Sequence, residues 1–198
     1  ARPDARRLAI IGAGEEAEGH IAAMRAVRPI EQVTVWSRNR DKTAAFADKH
    51  GVAVAPTMAA ALADADIVCT TTSATAPFLS AAMVPEGAHL NAIGGSMPYL
   101  RELQPDCVPA LAFFTDYRPS LEAQAGEVID ARAQGLVSAD WQATEIGEVI
   151  AGQRPGRTGG AQRTVYRSLG VAAQDLAAAD FIAARALDRT CGVEIAWH

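Results

Sequence analysis

The chain has little cysteine, no long apolar run and no excess of positive charge, and each absence removes a class of function. Its three cysteines, Cys69, Cys107 and Cys191, stand far apart. An odd number with no Cys-x-x-Cys pair makes no disulfide framework, and none lies at metal-ligand spacing from His20, His50, His89 or His198. A reducing, cytoplasmic setting is the expectation. No stretch reaches the roughly 18 uninterrupted apolar residues of a membrane-spanning helix, and the basic opening ARPDARR lacks the apolar core of a secretory signal. Eighteen Lys and Arg against 23 Asp and Glu give a net charge of −5, which argues against a general nucleic-acid binder. Internal repeats, low-complexity tracts and linkers are missing too.

What remains is an alanine-rich chain of 198 residues, 49% hydrophobic and 21% charged, a composition that excludes disorder. At this length folding buries roughly 70% of the surface of the unfolded chain, enough for one domain without metal or disulfide. Short β-branched runs alternate with longer amphipathic ones, the pattern of a parallel sheet with crossover helices. Strands are expected at 7–11, 32–36, 52–54, 66–71, 89–93, 111–115 and 163–168. Helices are expected at 15–27, 41–50, up to Leu62, 121–133, 144–151 and 171–187. The fold class is α/β, a doubly wound, mostly parallel sheet of Rossmann type occupying residues 1–198.

The densest local signal is Gly12-Ala13-Gly14-Glu15-Glu16-Ala17, set between an expected strand and an expected helix. In this G-x-G-x-x-A pattern Gly12 permits the tight turn and Gly14 lets the backbone approach a pyrophosphate. Ala17 is small enough for the helix to pack on the sheet. The N–H groups of the helix start then face the phosphates. A turn-forming GAG without a ligand is the bland alternative, and the strand–turn–helix setting weighs against it.

The second strand ends in Trp36-Ser37-Arg38-Asn39-Arg40, where an NAD site places Asp or Glu for the adenine ribose. Ser37 can bond a 2′-phosphate, and Arg38 can pair with it while lying on the adenine. The competing reading is a solvated basic turn. The missing carboxylate favours NADP(H) over NAD(H), which stays possible. Thr70, Thr71, Thr72 and Ser73 close the fourth strand at the sheet edge where open α/β sheets bind ligands. Asn91 to Ser96 close the fifth in the same layer, with glycines that admit a planar ring. His20 reads as a helix residue beside the phosphate turn, His50 as a helix end and His89 as a strand start. None is taken as a catalytic base.

Several segments together resemble the ornithine cyclodeaminase/mu-crystallin family: LAIIGAGEEAEGH (8–20), VTVWSR (33–38), ADIVCTTTSATAPFL (65–79), HLNAIGGSMPYLREL (89–103), TEIGEVIAGQRPGR (144–157) and TVYRSLGVAAQDLAAA (164–179). The resemblance covers nearly the whole chain in family order. It implies a domain that binds NAD(H) or NADP(H) and acts on amino acids or cyclic imines. Glu15 and Glu16 then stand in the phosphate turn, where the family often has an apolar residue and Gln. Ser37, Arg38 and Asn39 match the 2′-phosphate site of NADP-dependent members, and Thr72 and Ser73 match positions lining the cofactor's centre. Asn91 and Ile93 belong to the strand under the nicotinamide, Ser168 lies near its carboxamide, and Ser96 is placed to touch ring or substrate.

Two departures shape the expectation. Cyclodeaminases carry Gly-Gly-Asp where this chain has Gly94-Gly95-Ser96, and a serine cannot act as the carboxylate of ring closure. The Gly-x-Ser form is similar to the mu-crystallin side, whose members reduce ketimines with NADPH. The family also has a preceding substrate and dimerisation domain, whereas the first strand here begins at Arg7. The chain is therefore expected to be a fragment or a truncated protein, with helix 171–188 packing on its own domain or on that missing one, and a homodimer formed through the missing part. The expected function is an NADP(H)-binding domain of an imine reductase or amino-acid dehydrogenase with a small amino-acid or imine substrate. The rivals are an NAD-using cyclodeaminase, a non-catalytic dinucleotide or small-ligand module, and a Rossmann domain of other use. Glu102 and Asp116 fit solvated or structural carboxylates, and no catalytic residue or proton donor is assigned.

Overall fold

The computed structural model describes residues 1–193 and 195, so the tail Cys191–His198, to which the sequence assigned no role, and the end of the expected domain lie partly outside the described residues. The chain opens with strand β1 (Arg7–Ile11), helix α1 (Glu15–Val27), strand β2 (Gln32–Trp36) and helix α2 (Arg40–His50). The first three have the bounds expected from sequence, because glycines and Arg28-Pro29 punctuate them locally. Strand β3 (Ala53–Val54), helix α3 (Met58–Leu62) and strand β4 (Ile67–Thr70) follow, then a single 3-10 turn and strand β5 (His89–Ala92). Helix α2 starts on the Asn39 side chain, which accepts a bond from the Lys42 N–H, and stops at Gly51 in the left-handed region. Thr57 caps α3 in the same way as Asn39.

The second half departs from expectation in two places. Residues 121–133 do not form one helix. They belong to α5 (Arg118–Gln124) and α6 (Gly126–Ala133), preceded by helix α4 (Cys107–Ala110) and strand β6 (Ala112–Thr115). The break falls at Ala125, with α6 opening on Gly126, where a Cβ would come within 2.6 Å of Arg101 Nε and 2.8 Å of the Pro98 carbonyl. Close approach of a distant loop sets that junction. The expected helix 144–151 begins instead as strand β7 (Thr144–Glu145), which pairs with β6 before helix α7 (Ile146–Ile150) starts on a Glu145–Glu148 capping box. Strand β8 (Thr164–Arg167) and helix α8 (Ala172–Asp188) complete the described elements.

All eight strands form one sheet in the order β3-β2-β1-β4-β5-β8-β6-β7, and every pair is parallel. Strands of such a sheet are covered on both faces, which is why they read as near-continuous apolar runs. On one face Leu8, Ile10, Val35, Ile67 and Cys69 pack under Ala17 and Ile21 of α1 and Phe46 of α2. On the other, Ile11, Val68, Leu90, Val165 and Phe113 meet Leu62 of α3, Leu121 of α5 and Val128 of α6. From β1 the chain winds outward through β2 and β3, then returns to β4 on the other side of β1. That reversal opens a crevice above the carboxyl ends of β1 and β4, where such sheets hold their ligands.

No residue of helix α8 is buried, and its Leu176, Phe181, Ile182 and Leu187 stand open. Among the described residues, no helix is long and apolar enough to cross a membrane, and no group of His, Cys, Asp and Glu is arranged to hold a metal.

Candidate functional site

A cleft of about 930 Å³ occupies the crevice. Its floor is the Gly12–Gly14 turn, one wall is Trp36 to Asn39 with Lys42 and Met58, and the other is the loop Thr71–Phe78. The turn is held open by geometry that only glycine allows. Gly12 has φ 126°, and a Cβ there would lie 2.6 Å from Thr71 Oγ1 and 2.7 Å from the Thr71 carbonyl. Gly14 has open space above it, with no atom within 4 Å of a would-be Cβ. It is the N-cap of α1 and supplies no side-chain bond, in contrast to the capped starts of α2 and α3. The first-turn N–H groups of α1 therefore point their positive end into the cleft without a protein acceptor from the cap. Ala17 is fully buried against β1, as the third small position of the fingerprint requires. Glu15 and Glu16 are exposed on the first turn and do not line the cleft.

The wall at the end of β2 carries Ser37, Arg38 and Asn39, all three lining the cleft. Two of the three have local work. The Ser37 hydroxyl lies 2.6 Å from Thr43 Oγ1 and 3.1 Å from the Asn39 carbonyl, and the Asn39 side chain caps α2. The Thr43 hydroxyl donates to the Asn39 carbonyl at 2.7 Å, so the Ser37 hydrogen is spent on Thr43 Oγ1 or that carbonyl and Ser37 is a committed hydroxyl, not a free one. Arg38 is exposed on the wall and has no hydrogen-bond or carboxylate partner among the described residues. Lys42, one turn into α2, adds a second cation that the sequence reading overlooked. The signal for it was position: it follows a β2-end cap by three residues.

The opposite wall corrects the reading of the threonine run. Thr70 does not face the cleft. It is fully buried and donates to Glu102 Oε2 at 2.6 Å. Thr72 lines the cleft, but its hydroxyl donates to Glu102 Oε1 at 2.7 Å, leaving only its lone pairs for a ligand. Ser73 is exposed on the same wall. Glu102 is buried, not solvated. Burial pushes its pKa up, while its four hydrogen bonds pull against that shift. Sequence spacing could not have found a bond from residue 102 to residues 70, 72 and 94.

Asn91 is turned away from the cleft. Strand alternation puts it beside Cys69 on the α1 face, where its amide nitrogen approaches Cys69 Sγ at 3.5 Å and Met24 Sδ at 3.8 Å, and its oxygen meets His89 Nε2 at 3.1 Å. Ile93, half-buried, ends the ladder by donating its N–H to the Thr70 carbonyl. Ser96 is exposed in the loop after Gly95. Ser168 follows β8 and donates its N–H to Ala92, with its hydroxyl 3.5 Å from Asp116. These last three lie at the same end of the sheet as the cleft but outside its lining. Asp116 is structural: one oxygen accepts from the Leu169 and Gly170 N–H groups at 2.8 and 2.7 Å.

The described histidines, His20, His50 and His89, stay out of the cleft lining. His20 bonds the Glu16 carbonyl within α1, and His50 packs against Phe46 with the rings tilted by 42°. His89 sits at the opposite end of β5, where burial pushes its pKa down to about 3. Burial likewise pushes Cys69 up to about 12, so its thiol is inert.

The comparisons with known proteins agree with this architecture. The Delta(1)-pyrroline-2-carboxylate reductase of Bacillus cereus is 33% identical over 202 residues, covering 98% of this chain and 62% of that protein. The ketimine reductase mu-crystallin of Mus musculus is 34% identical over 182 residues, covering 91% and 55%. The solved structure of Thermococcus litoralis Delta(1)-pyrroline-2-carboxylate reductase, in complex with NADH and L-proline, matches with a TM-score of 0.90 at 26% identity over 98% of this chain and 62% of that one. The chain thus spans less than two thirds of the length of these relatives. With residues 1–190 matching the family model as well, the chain belongs to the ornithine cyclodeaminase/mu-crystallin family.

Proposed function

We propose that this chain is the NADP(H)-binding portion of a reductase of small imines derived from amino acids. The observation that carries the reading is the unpartnered Arg38 guanidinium on the wall facing the uncapped start of α1, with no carboxylate at the end of β2. The α1 N–H groups and the Gly12–Gly14 turn suit a pyrophosphate. Arg38 and Lys42 suit a further phosphate on the adenine ribose, with Ser37 beside them available once its hydrogen leaves the Asn39 carbonyl. A carboxylate at that strand end would bind two ribose hydroxyls and repel the added phosphate.

When bound, the dinucleotide supplies the hydride for the C=N bond. The chain's part is to hold and orient: phosphates on the glycine turn, Thr72 as an acceptor beside the central ribose, and Ile93, Ser96 and Ser168 at the ring end. Relatives whose names describe pyrroline-carboxylate and ketimine reduction support that substrate class. The NADH in the Thermococcus litoralis structure supports dinucleotide binding without deciding the phosphate. Ser96 lacks the ionisable group that the cyclodeaminase reading requires.

The test is titration of the full-length protein with NADPH and with NADH, followed by nicotinamide fluorescence, then turnover of a cyclic imine. Tighter NADPH binding with imine reduction is expected. Equal affinities would overturn the phosphate assignment, and NADPH binding without turnover would favour a non-catalytic module.

A further inference from the structure

Glu102 is absent from the cleft lining, yet its carboxylate is the point at which two of the cleft's supports are joined. The parallel ladder between β4 and β5 ends with the Ile93 N–H on the Thr70 carbonyl. One step further the two backbones still lie close but share no backbone hydrogen bond, and the Glu102 carboxylate accepts from both. Oε1 accepts from the Thr72 N–H and hydroxyl, both at 2.7 Å. Oε2 accepts from the Gly94 N–H at 2.9 Å and from the Thr70 hydroxyl. The backbone of Glu102 holds the same wall from behind, its carbonyl accepting from the N–H groups of Phe78 and Leu79.

No cation pairs with Glu102 among the described residues; all four donors are neutral. The side chain is 3% exposed. A carboxylate taken out of water and left without a counter-charge is costly, and an apolar residue would fill that space at less expense. Its four donors account for the arrangement only if the spacing they impose is useful. That spacing is between the loop 71–78, which walls the cleft, and the Gly94–Gly95 turn, where a Cβ on Gly94 would meet the Thr72 carbonyl at 2.1 Å.

We propose that Glu102 is a positioning residue for the nicotinamide half of the dinucleotide, fixing Thr72 against Gly94 so that the ring end of the site is preformed. The inference rests on the dinucleotide reading above. It concerns a residue that would not touch the cofactor itself.

Glu102→Gln is the informative variant in the full-length protein. The amide keeps the shape but offers one oxygen and one NH₂, so either the Thr72 or the Gly94 N–H faces a donor and is released. The affinity for NADPH is expected to fall about tenfold or more, as for loss of a bond to a charged group. The affinity for adenosine 2′,5′-bisphosphate, which fills only the adenine end, stays within about twofold. Amide hydrogen exchange at Thr72 or Gly94 rises. A folded variant that binds NADPH like the wild type, or loses both ligands in parallel, overturns the inference. If Glu102→Gln fails to fold, Thr70→Val removes one donor from the same carboxylate and should weaken NADPH but not the bisphosphate; unchanged NADPH binding there is equally fatal. A wild-type protein that binds neither NADPH nor NADH overturns the dinucleotide reading itself, and is thereby distinguished from failure of Glu102 alone.

Discussion

Gly12 and Thr71 approach so closely that a side-chain carbon on Gly12 would sit 2.6 Å from the threonine hydroxyl and 2.7 Å from its carbonyl oxygen. The hydroxyl could rotate, but the carbonyl is backbone and cannot swing aside, and φ 126° is itself a conformation that alanine resists. Gly12→Ala is therefore expected to cost about 1–3 kcal/mol of stability and to abolish dinucleotide binding. Gly14 is the control. Its φ of −107° is open to alanine, and nothing in the protein lies within 4 Å of the added carbon. Gly14→Ala should keep its stability within about 0.5 kcal/mol yet lose affinity, because the methyl group enters the space the proposed pyrophosphate would take. Urea unfolding and fluorescence titration of both variants check the pair.

Arg38 has no partner to satisfy within the described residues, so its removal strands nothing and reports on the ligand alone. Arg38→Ala is expected to weaken NADPH by about 1.5–3 kcal/mol, the range for hydrogen bonds to charged groups, while NADH changes little. The salt dependence of NADPH binding should flatten in the variant, since a phosphate–guanidinium contact on an exposed wall is screened. Equal losses for the two dinucleotides would show that Arg38 acts through the adenine or the fold and not through a phosphate.

Much of this was legible in the sequence where its cause is local. The bounds of β1, α1 and β2 follow from glycine turns, a proline stop and β-branched runs, and the clustering of Gly12, Gly14, Ser37, Arg38, Thr72 and Ser73 follows from parallel strands ending on one side. What escaped depends on partners far along the chain. The split of residues 121–133 at Ala125 comes with the approach of Arg101 and Pro98 to Gly126. The orientation of Asn91 is set by alternation in register with Cys69, and a one-residue shift would have turned it towards the other layer. The commitment of the Thr70 and Thr72 hydroxyls to Glu102 spans about thirty residues and leaves no periodic trace.

Arg167 and Glu127 form an ion pair at 2.8 Å, with side chains 3% and 1% exposed. Arg167 also donates to the carbonyls of Ala92, Ser168 and Gly95, which ties the ends of β5 and β8 to α6. Removing one partner leaves the other charge buried, so Arg167→Met or Glu127→Leu alone should cost about 3–5 kcal/mol. The double variant should recover part of that loss, because neither charge is then stranded. Recovery stays incomplete, since the Gly95, Ser168 and Ala92 carbonyls each lose an Arg167 bond, Ala92 keeping the Ser168 N–H. A double-mutant cycle by urea unfolding measures this coupling, and strictly additive losses would show that the pair is not the unit of stability.

His89 gives the fold a defined acid sensitivity. Arg157 donates to the Thr164 hydroxyl, which lies 2.7 Å from His89 Nδ1, so that hydroxyl is left to donate to the ring. Nε2–H then faces the Asn91 oxygen at 3.1 Å, and the neutral imidazole satisfies both neighbours. Burial, reinforced by the positive charge of the Ala1 amino group, Arg157 and Arg28 and opposed by the Asn91 hydrogen bond, lowers the folded pKa from 6.5 to about 3. Between those values the unfolded chain binds one proton more than the folded one. The contribution is fully present above pH 6.5 and is lost as the pH falls towards 3, by at most about 1.4 kcal/mol per pH unit. Urea unfolding of the wild type and of His89→Gln across pH 7 to 4.5 isolates this part from the carboxylates, which titrate in both. The wild type should lose stability more steeply below pH 6.5, and parallel curves would mean that the folded imidazole takes up its proton as readily as the unfolded one.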